Sequence, residues 1–262
     1  MTFETSVEVV APGAPIADNL RRLADGRLGA LHIENFWNHA ECDDAVRRIS
    51  FELFEEYSPR HYQSQAFRIG PSLNEHRLSG KVTSHYWEAV DTGWKLWHSG
   101  MPEVRLHEDF LRAMRQAWDG AVRPATSEGR STYWGIIRRM NAGTLVHWDD
   151  IRTEFPTPIF DDPLLGQISV NVFLKAPEEG GWLSVWSTAR EPAHEQARTG
   201  YGYQRERVVP EEPEVRIWPR LGDAVFFSPC NYHAVDPVIH GDRVAFSLFL
   251  GIAAGGDLLL WA

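Results

Sequence analysis

His147-Trp148-Asp149 is the segment whose residue types and spacing most directly suggest chemistry. On a β-strand, residues i and i+2 face the same way, so an imidazole and a carboxylate can grip one divalent metal while Trp148 packs on the opposite side. The same His-x-Asp spacing recurs at His107/Asp109 and His240/Asp242. On a helix that offset turns two side chains roughly 200° apart, and His107 falls on an apolar helical stripe, so it reads as a core histidine. His240 and Asp242 straddle Gly241, where turn hydrogen bonds account for both without a metal.

Two ligands seldom hold a catalytic ion, and a third is expected from a histidine on a later strand, leaving one face of the coordination sphere open. His233 is the candidate: it follows the apolar run DAVFFSPCNY and precedes the Asp236-Pro237 turn, at a strand end near the sheet's rim. Ten residues on, Arg243 opens the strand RVAFSLFLG, in which Arg243, Ala245 and Ser247 share one face. A guanidinium buried among such neighbours requires an anion. Its planar fork of donors suits the far carboxylate of a dicarboxylic cosubstrate, with an internal ion pair as the alternative.

HWD at 147–149, the distal His233 and Arg243 with Ser247 resemble the iron(II)/2-oxoglutarate-dependent oxygenase superfamily. The phrases SVNVFLKAPEEGGWL and WPRLGDAVFF are similar to its small-molecule and prolyl-hydroxylase-like branches, over about the last half of the chain. The resemblance implies a mainly β fold with flanking N-terminal helices and a double-stranded β-helix (jelly-roll/cupin-like) core. It implies Fe(II) held by His147, Asp149 and His233, with 2-oxoglutarate and O2 as cosubstrates and Arg243 with Ser247 around the oxoacid. Many members carry Arg-x-Ser, whereas Ala245 stands at that place here and Ser247 lies one same-face step further. Related halogenases carry a small residue where this chain has Asp149, which points away from halogenation.

The expected activity is a 2-oxoglutarate-dependent dioxygenase that hydroxylates an unactivated C–H of a small molecule, such as an amino-acid-like or natural-product intermediate, releasing succinate and CO2. One alternative keeps the iron chemistry and takes a peptide or protein side chain across an open groove. Another is a non-catalytic β-barrel binding module in which the histidines are structural. Candidate substrate contacts are Tyr133 and Trp186 on the ligand-bearing strands, with Arg68, Tyr86 and Trp87 from an aromatic-rich stretch before the second helix. Asn171, an amide inside the strand VNVFLK, is assigned equally to the oxoacid or substrate and to a neighbouring loop.

The elements that must position these groups are legible in outline. Asn38 followed by Glu41 predicts a capping box opening a helix through about Glu56. Residues Ser58 to Gly100, broken by Gly70-Pro71, read as an irregular excursion facing substrate. A second helix is expected over Pro102 to Trp118, with His107, Phe110, Leu111, Met114 and Trp118 as its buried stripe. From Ser131 the texture turns to strands, at Thr132–Met140, Thr144–Asp149, Gln167–Lys175, Trp182–Trp186, Val215–Trp218, Asp223–Ser228 and Arg243–Gly251. Ser187 to Glu214 reads as a surface loop with little to fill a core. One oxygenase domain over 1–262 is expected: residues 1–130 form a helical and loop support, and 131–262 form the barrel with the 187–214 insertion.

A formal net charge of -10, with no run of Lys or Arg, removes the basic face that a nucleic-acid partner needs. Only Cys42 and Cys230 are present, in no metal-knuckle spacing, which fits a reduced cytoplasmic protein without disulfides. No apolar run approaches a membrane span. A small-molecule partner is the expectation left standing.

Overall fold

The structure is a computed structural model and describes residues 2–57, 66–79, 81–155 and 157–262; the opening of the expected 58–100 excursion lies outside them. The strands that matter here are β1 (Thr5–Val10), β2 (Leu28–Ile33), β3 (Phe67–Ile69), β4 (Ile136–Arg139), β5 (Leu164–Lys175), β6 (Leu183–Trp186), β7 (Val215–Ile217), β8 (Ala224–Phe227), β9 (Tyr232–Val235), β10 (Val244–Ala253) and β11 (Leu258–Trp261). The major sheet runs β1-β2-β8-β5-β10-β4-β3, with β11 on the far half of β10, and the minor sheet runs β7-β6-β9. The fold is mainly β with a jelly-roll core, as expected. The amino-terminal region is more than a support, because β1 and β2 extend the major sheet through pairing of β2 with β8.

The outer face of the major sheet is covered by helices α1 (Ala17–Ala24), α2 (His39–Arg48) and α4 (Leu106–Ala117). Leu20, Leu23, Phe110 and Met114 meet Val170, Val172, Phe226, Phe246 and Leu248 there in one cluster. The period of two then sends Phe173, Val225, Phe227 and Ala245 inward, against Leu183, Val185 and Val215 of the minor sheet. All ten residues of β10 are buried, which explains its apolar run: both of its faces are covered. Arg243 precedes this strand and shares the inward parity of Ala245.

Several expected elements are corrected. The capping box forms, with Glu41 N donating to Asn38 Oδ1 at 2.9 Å and Asn38 N to Glu41 Oε2 at 2.9 Å. The helix nevertheless ends at Arg48, where Ile49 turns extended and drops into the core. The irregular excursion is overturned from Ser84 onward by a 17-residue helix, α3 (Ser84–Gly100). Its buried Tyr86, Val90, Gly93 and Trp97 recur at i, i+4, i+7 and i+11, a packing stripe. The 187–214 stretch has a core of its own: Ala197, Tyr203, Val208 and Val209 pack with Val146, Trp186 and Tyr232. No helix among the described residues is long and apolar enough to cross a membrane.

His107 is the core histidine that its helical stripe predicts. Its Nε2 donates to the carbonyls of Trp134 and Gly135, each at 2.9 Å. Burial pushes its pKa down to about 4. Gly135 sits beneath it at φ +72, where an added Cβ would lie 2.4 Å from Phe246 Cζ and 2.8 Å from His107 Nε2. Gly135→Ala is therefore expected to destabilise the fold by about 1–3 kcal/mol, with left-handed strain in addition. Urea unfolding reads this directly, and an unchanged midpoint would show that β4 can shift freely at its start.

Candidate metal centre and cosubstrate pocket

The expected strand at Thr144–Asp149 reduces to isolated bridge positions, and these do the positioning. His147 N donates to His233 O at 3.0 Å and His233 N to His147 O at 2.8 Å, a reciprocal pair. Residues bonded in this way project from the same side of the ladder, so the two rings meet with centroids 4.2 Å apart. Asp149 is fixed one step along by its N–H to Pro229 O at 2.8 Å. Trp148 turns away, its Nε1 donating to the Tyr203 hydroxyl at 3.1 Å and its ring lying under the Arg190 guanidinium. His233 lies inside β9 and not at a strand end.

Both imidazoles are oriented by backbone carbonyls. His147 Nδ1 lies 2.8 Å from Leu145 O and His233 Nδ1 lies 3.0 Å from Asn231 O. A carbonyl only accepts, so the proton sits on Nδ1 and the Nε2 lone pair remains for a metal. Nε2 of His147 and Nε2 of His233 stand 3.8 and 3.9 Å from the same Asp149 oxygen. Burial, then the neighbouring His147, pushes the His233 pKa down to about 3, so its ring is neutral and available. These three residues form a set able to hold one metal ion, and neutral imidazoles with committed Nδ1 atoms fit such an ion.

Arg243 supplies the complementary half. It is 3% exposed, its guanidinium lies 5.1 Å from the Phe173 ring centre, and its Nε has no hydrogen-bond partner. Burial, then Arg138, pushes its pKa down to about 10. Among the described residues no carboxylate pairs with it, which rules out the internal ion pair and leaves a cradle shaped for an anion. Asn171 pairs in register with Ser247 across β5 and β10, and its Oδ1 accepts from Ser247 Oγ at 2.8 Å. The loop partner considered for Asn171 is thus replaced by a strand neighbour. His147, Asp149, His233, Asn171, Arg243 and Arg138 line a small inner cavity of about 40 Å³.

Next to it opens an outer cavity of about 590 Å³ that shares His147, Asp149 and Arg138. None of the five sequence-based substrate candidates lines it. Tyr86 and Tyr133 are buried against each other, the Tyr133 N–H donating to the Tyr86 hydroxyl at 3.1 Å. Trp186 is buried with Nε1 on Pro210 O, Trp87 faces a separate cleft, and Arg68 pairs with Glu75 and Glu55. Aromatic richness marked packing here, because large rings fill cores well. The cavity wall that sequence reasoning missed includes Arg138, Tyr57, Glu154, Arg77 and Tyr201. Arg138 carried a usable signal, a cation at the same-face position as the buried Ile136.

A family model described as the 2OG-Fe(II) oxygenase superfamily matches residues 136–251, a span holding the triad and Arg243. An L-gamma-glutamyl-L-propargylglycine hydroxylase of Streptantibioticus cattleyicolor is 35% identical over 254 residues, 93% of this chain and 92% of that protein. The chain belongs to the 2OG-Fe(II) oxygenase superfamily. It is an enzyme, a 2-oxoglutarate-dependent dioxygenase that uses Fe(II) and 2-oxoglutarate, and the non-catalytic barrel reading is set aside. The oxygenase is also similar to leucinostatins biosynthesis cluster protein S of Purpureocillium lilacinum, 26% identical over 154 residues, 54% of this chain and 62% of that one. A crystal structure of an N-substituted L-amino acid dioxygenase of Burkholderia ambifaria with alpha-KG shares the fold, at a TM-score of 0.57 and 13% identity over 94% of this chain and 91% of that one.

Proposed function

We propose that this oxygenase hydroxylates an unactivated C–H of a small amino-acid derivative, with release of succinate and CO2. In this reading His147, Asp149 and His233 hold Fe(II), and Arg243 grips the far carboxylate of 2-oxoglutarate beside Asn171 and Ser247. The observation that carries it is the outer cavity of about 590 Å³ sharing a wall with the triad, a size suited to a small-molecule ligand. The relative that hydroxylates L-gamma-glutamyl-L-propargylglycine supports an amino-acid derivative as the substrate class.

Iron, oxoacid and O2 together supply an oxidant strong enough to take hydrogen from such a carbon. The protein's part is placement. Leu145 O and Asn231 O aim the two Nε2 lone pairs, Asp149 would contribute the negative ligand, and Arg243 would hold the far carboxylate of the oxoacid. Glu154 and Arg77, joined as an ion pair on the outer wall, give that wall polar grips for a zwitterion. Burial, then Asp149, pushes Glu154 up to about 7.

The test is substrate-stimulated succinate formation with L-gamma-glutamyl-L-propargylglycine and a panel of other gamma-glutamyl and N-acyl amino acids. Stimulation of about tenfold or more over the uncoupled rate, with one added oxygen in the product mass, is expected for at least one member. Equal succinate with and without every compound, alongside turnover of a peptide substrate, would move the assignment to peptide hydroxylation.

A further inference from the structure

The segment that carries His147 lies between two supports. On one edge it bonds to β9, through Thr144 N to Val235 O at 2.8 Å and through the reciprocal pair of His147 with His233. On the other edge stands a short hairpin, Arg198–Thr199 paired with Gly202–Tyr203. Gly200 takes φ +59 at its first turn position, a conformation that tight hairpin turns ask of glycine. That turn presents Tyr201 to the ligand segment.

Tyr201 meets the segment twice. Its hydroxyl accepts the Leu145 N–H at 2.6 Å, and its ring lies edge-on to the His147 imidazole with centroids 5.4 Å apart. Leu145 is the residue whose carbonyl holds His147 Nδ1 at 2.8 Å. One residue further on, Tyr203 N donates to Val146 O at 2.8 Å. The peptide groups on both sides of the one bearing the Leu145 carbonyl are therefore fastened to the hairpin. Gly202 permits the approach, because a Cβ there would lie 2.6 Å from both Leu145 Cβ and Val146 O.

Thr144–Asp149 forms isolated bridges and no continuous ladder, so the Leu145 N–H needs an acceptor from outside a sheet, and a phenol on a turn supplies it. We propose that Tyr201 is a positioning residue for the metal ligand His147: by holding Leu145 it fixes the carbonyl that sets the direction of the imidazole, and its ring limits the tilt of that imidazole. The same side chain lines the outer cavity beside His147 and Asp149, so one hairpin both walls the larger space and steadies the metal centre. The proposal rests on the reading of His147, Asp149 and His233 as the holders of Fe(II).

Tyr201→Phe keeps the ring and removes the acceptor. Anaerobic calorimetry of the apoprotein with Fe(II) alone is expected to show binding about tenfold weaker than wild type. That is the lower end of the effect of groups that orient a ligand, because the hydroxyl acts through one intervening residue. The visible band of the Fe(II)–2-oxoglutarate complex should shift or broaden in the same variant. Trp118→Phe loses a hydrogen bond to Gly256 O on the helical side of the sheet, and as the control for a purely structural loss it should keep wild-type affinity and band. Gly202→Ala pushes the hairpin off Leu145 and should weaken Fe(II) at least as much as Tyr201→Phe, which decides the matter if the phenylalanine variant folds poorly. Affinity within about twofold of wild type, the scatter of uncoupled sites, together with an unmoved band in Tyr201→Phe overturns the proposal. So does an equal weakening in Trp118→Phe, or wild-type affinity in Gly202→Ala. A wild-type protein that takes up no Fe(II) and gives no band would sink the placement of metal at the triad, and this proposal with it.

Discussion

Asp149→Ala is expected to abolish the visible absorption band that anaerobic Fe(II) and 2-oxoglutarate give with wild type, and to leave less than about 1% of the activity. Changes to groups that merely orient a metal ligand cost about 10–100-fold, and loss of the charged ligand removes more. The substitution is also clean. The Asp149 side chain is 26% exposed and lies 3.8 and 3.9 Å from the two histidines, while its hydrogen bond to Pro229 runs through the backbone. An unchanged circular dichroism spectrum and melting temperature should accompany the loss. His233→Ala should give the same loss of the band, with some cost to folding, because that ring is buried. A band that survives in Asp149→Ala would remove the residue from the metal site.

The second large effect is expected at Arg243, and its signature is a split between stability and binding. The guanidinium is buried with no carboxylate beside it among the described residues. Its pKa is depressed to about 10, so at neutral pH the charged form weakens the folded state. The folded pKa of this cation lies below its unfolded value, which means the penalty is present below about pH 10 and fades as pH rises past it. Arg243→Met keeps the volume and removes the buried charge, so the apoprotein should melt at the same temperature or higher.

The oxoacid should suffer instead. Removing one partner of a buried charged pair costs about 2–5 kcal/mol, or roughly 30-fold to several thousandfold in affinity. At 2-oxoglutarate held at 100 times the wild-type Kd, the stabilisation by ligand is about 2.7 kcal/mol, and a variant 100-fold weaker retains about 0.4 kcal/mol. Metal uptake should be largely kept, since the triad lies on other segments of the chain. A shift on adding oxoacid equal to that of wild type would exclude Arg243 from the role proposed for it.

Much of this was legible from residue type and spacing. The HWD offset of two, the anion demand of a guanidinium on an apolar strand and the helical placement of His107 are local arguments, and local arguments suffice where one element sets a side chain's direction. The decoy at His240 and Asp242 differs from its expected turn bonding, because Asp242 is engaged by residues distant in sequence: it accepts from Asn141 at 2.8 Å and pairs with Arg139 and Lys175. Where the reading failed, it failed for want of a neighbour. Tyr86 and Trp87 look like a binding loop until α3 is seen to bury Tyr86 against Tyr133, and the polar 187–214 stretch looks coreless until Val208 and Tyr203 meet Trp186.

By itself the sequence determined the family chemistry, the identity of the candidate ligands and the mainly β architecture, because each follows from covalent order and the period of a strand. Only the tertiary structure decided how His147 and His233 meet, through one reciprocal pair of backbone bonds across 86 residues, and which side chains wall the larger cavity. The physical reason is that register and burial belong to pairs of strands: whether Arg138 faces solvent or the oxoacid pocket depends on what lies opposite it, and no single strand carries that information.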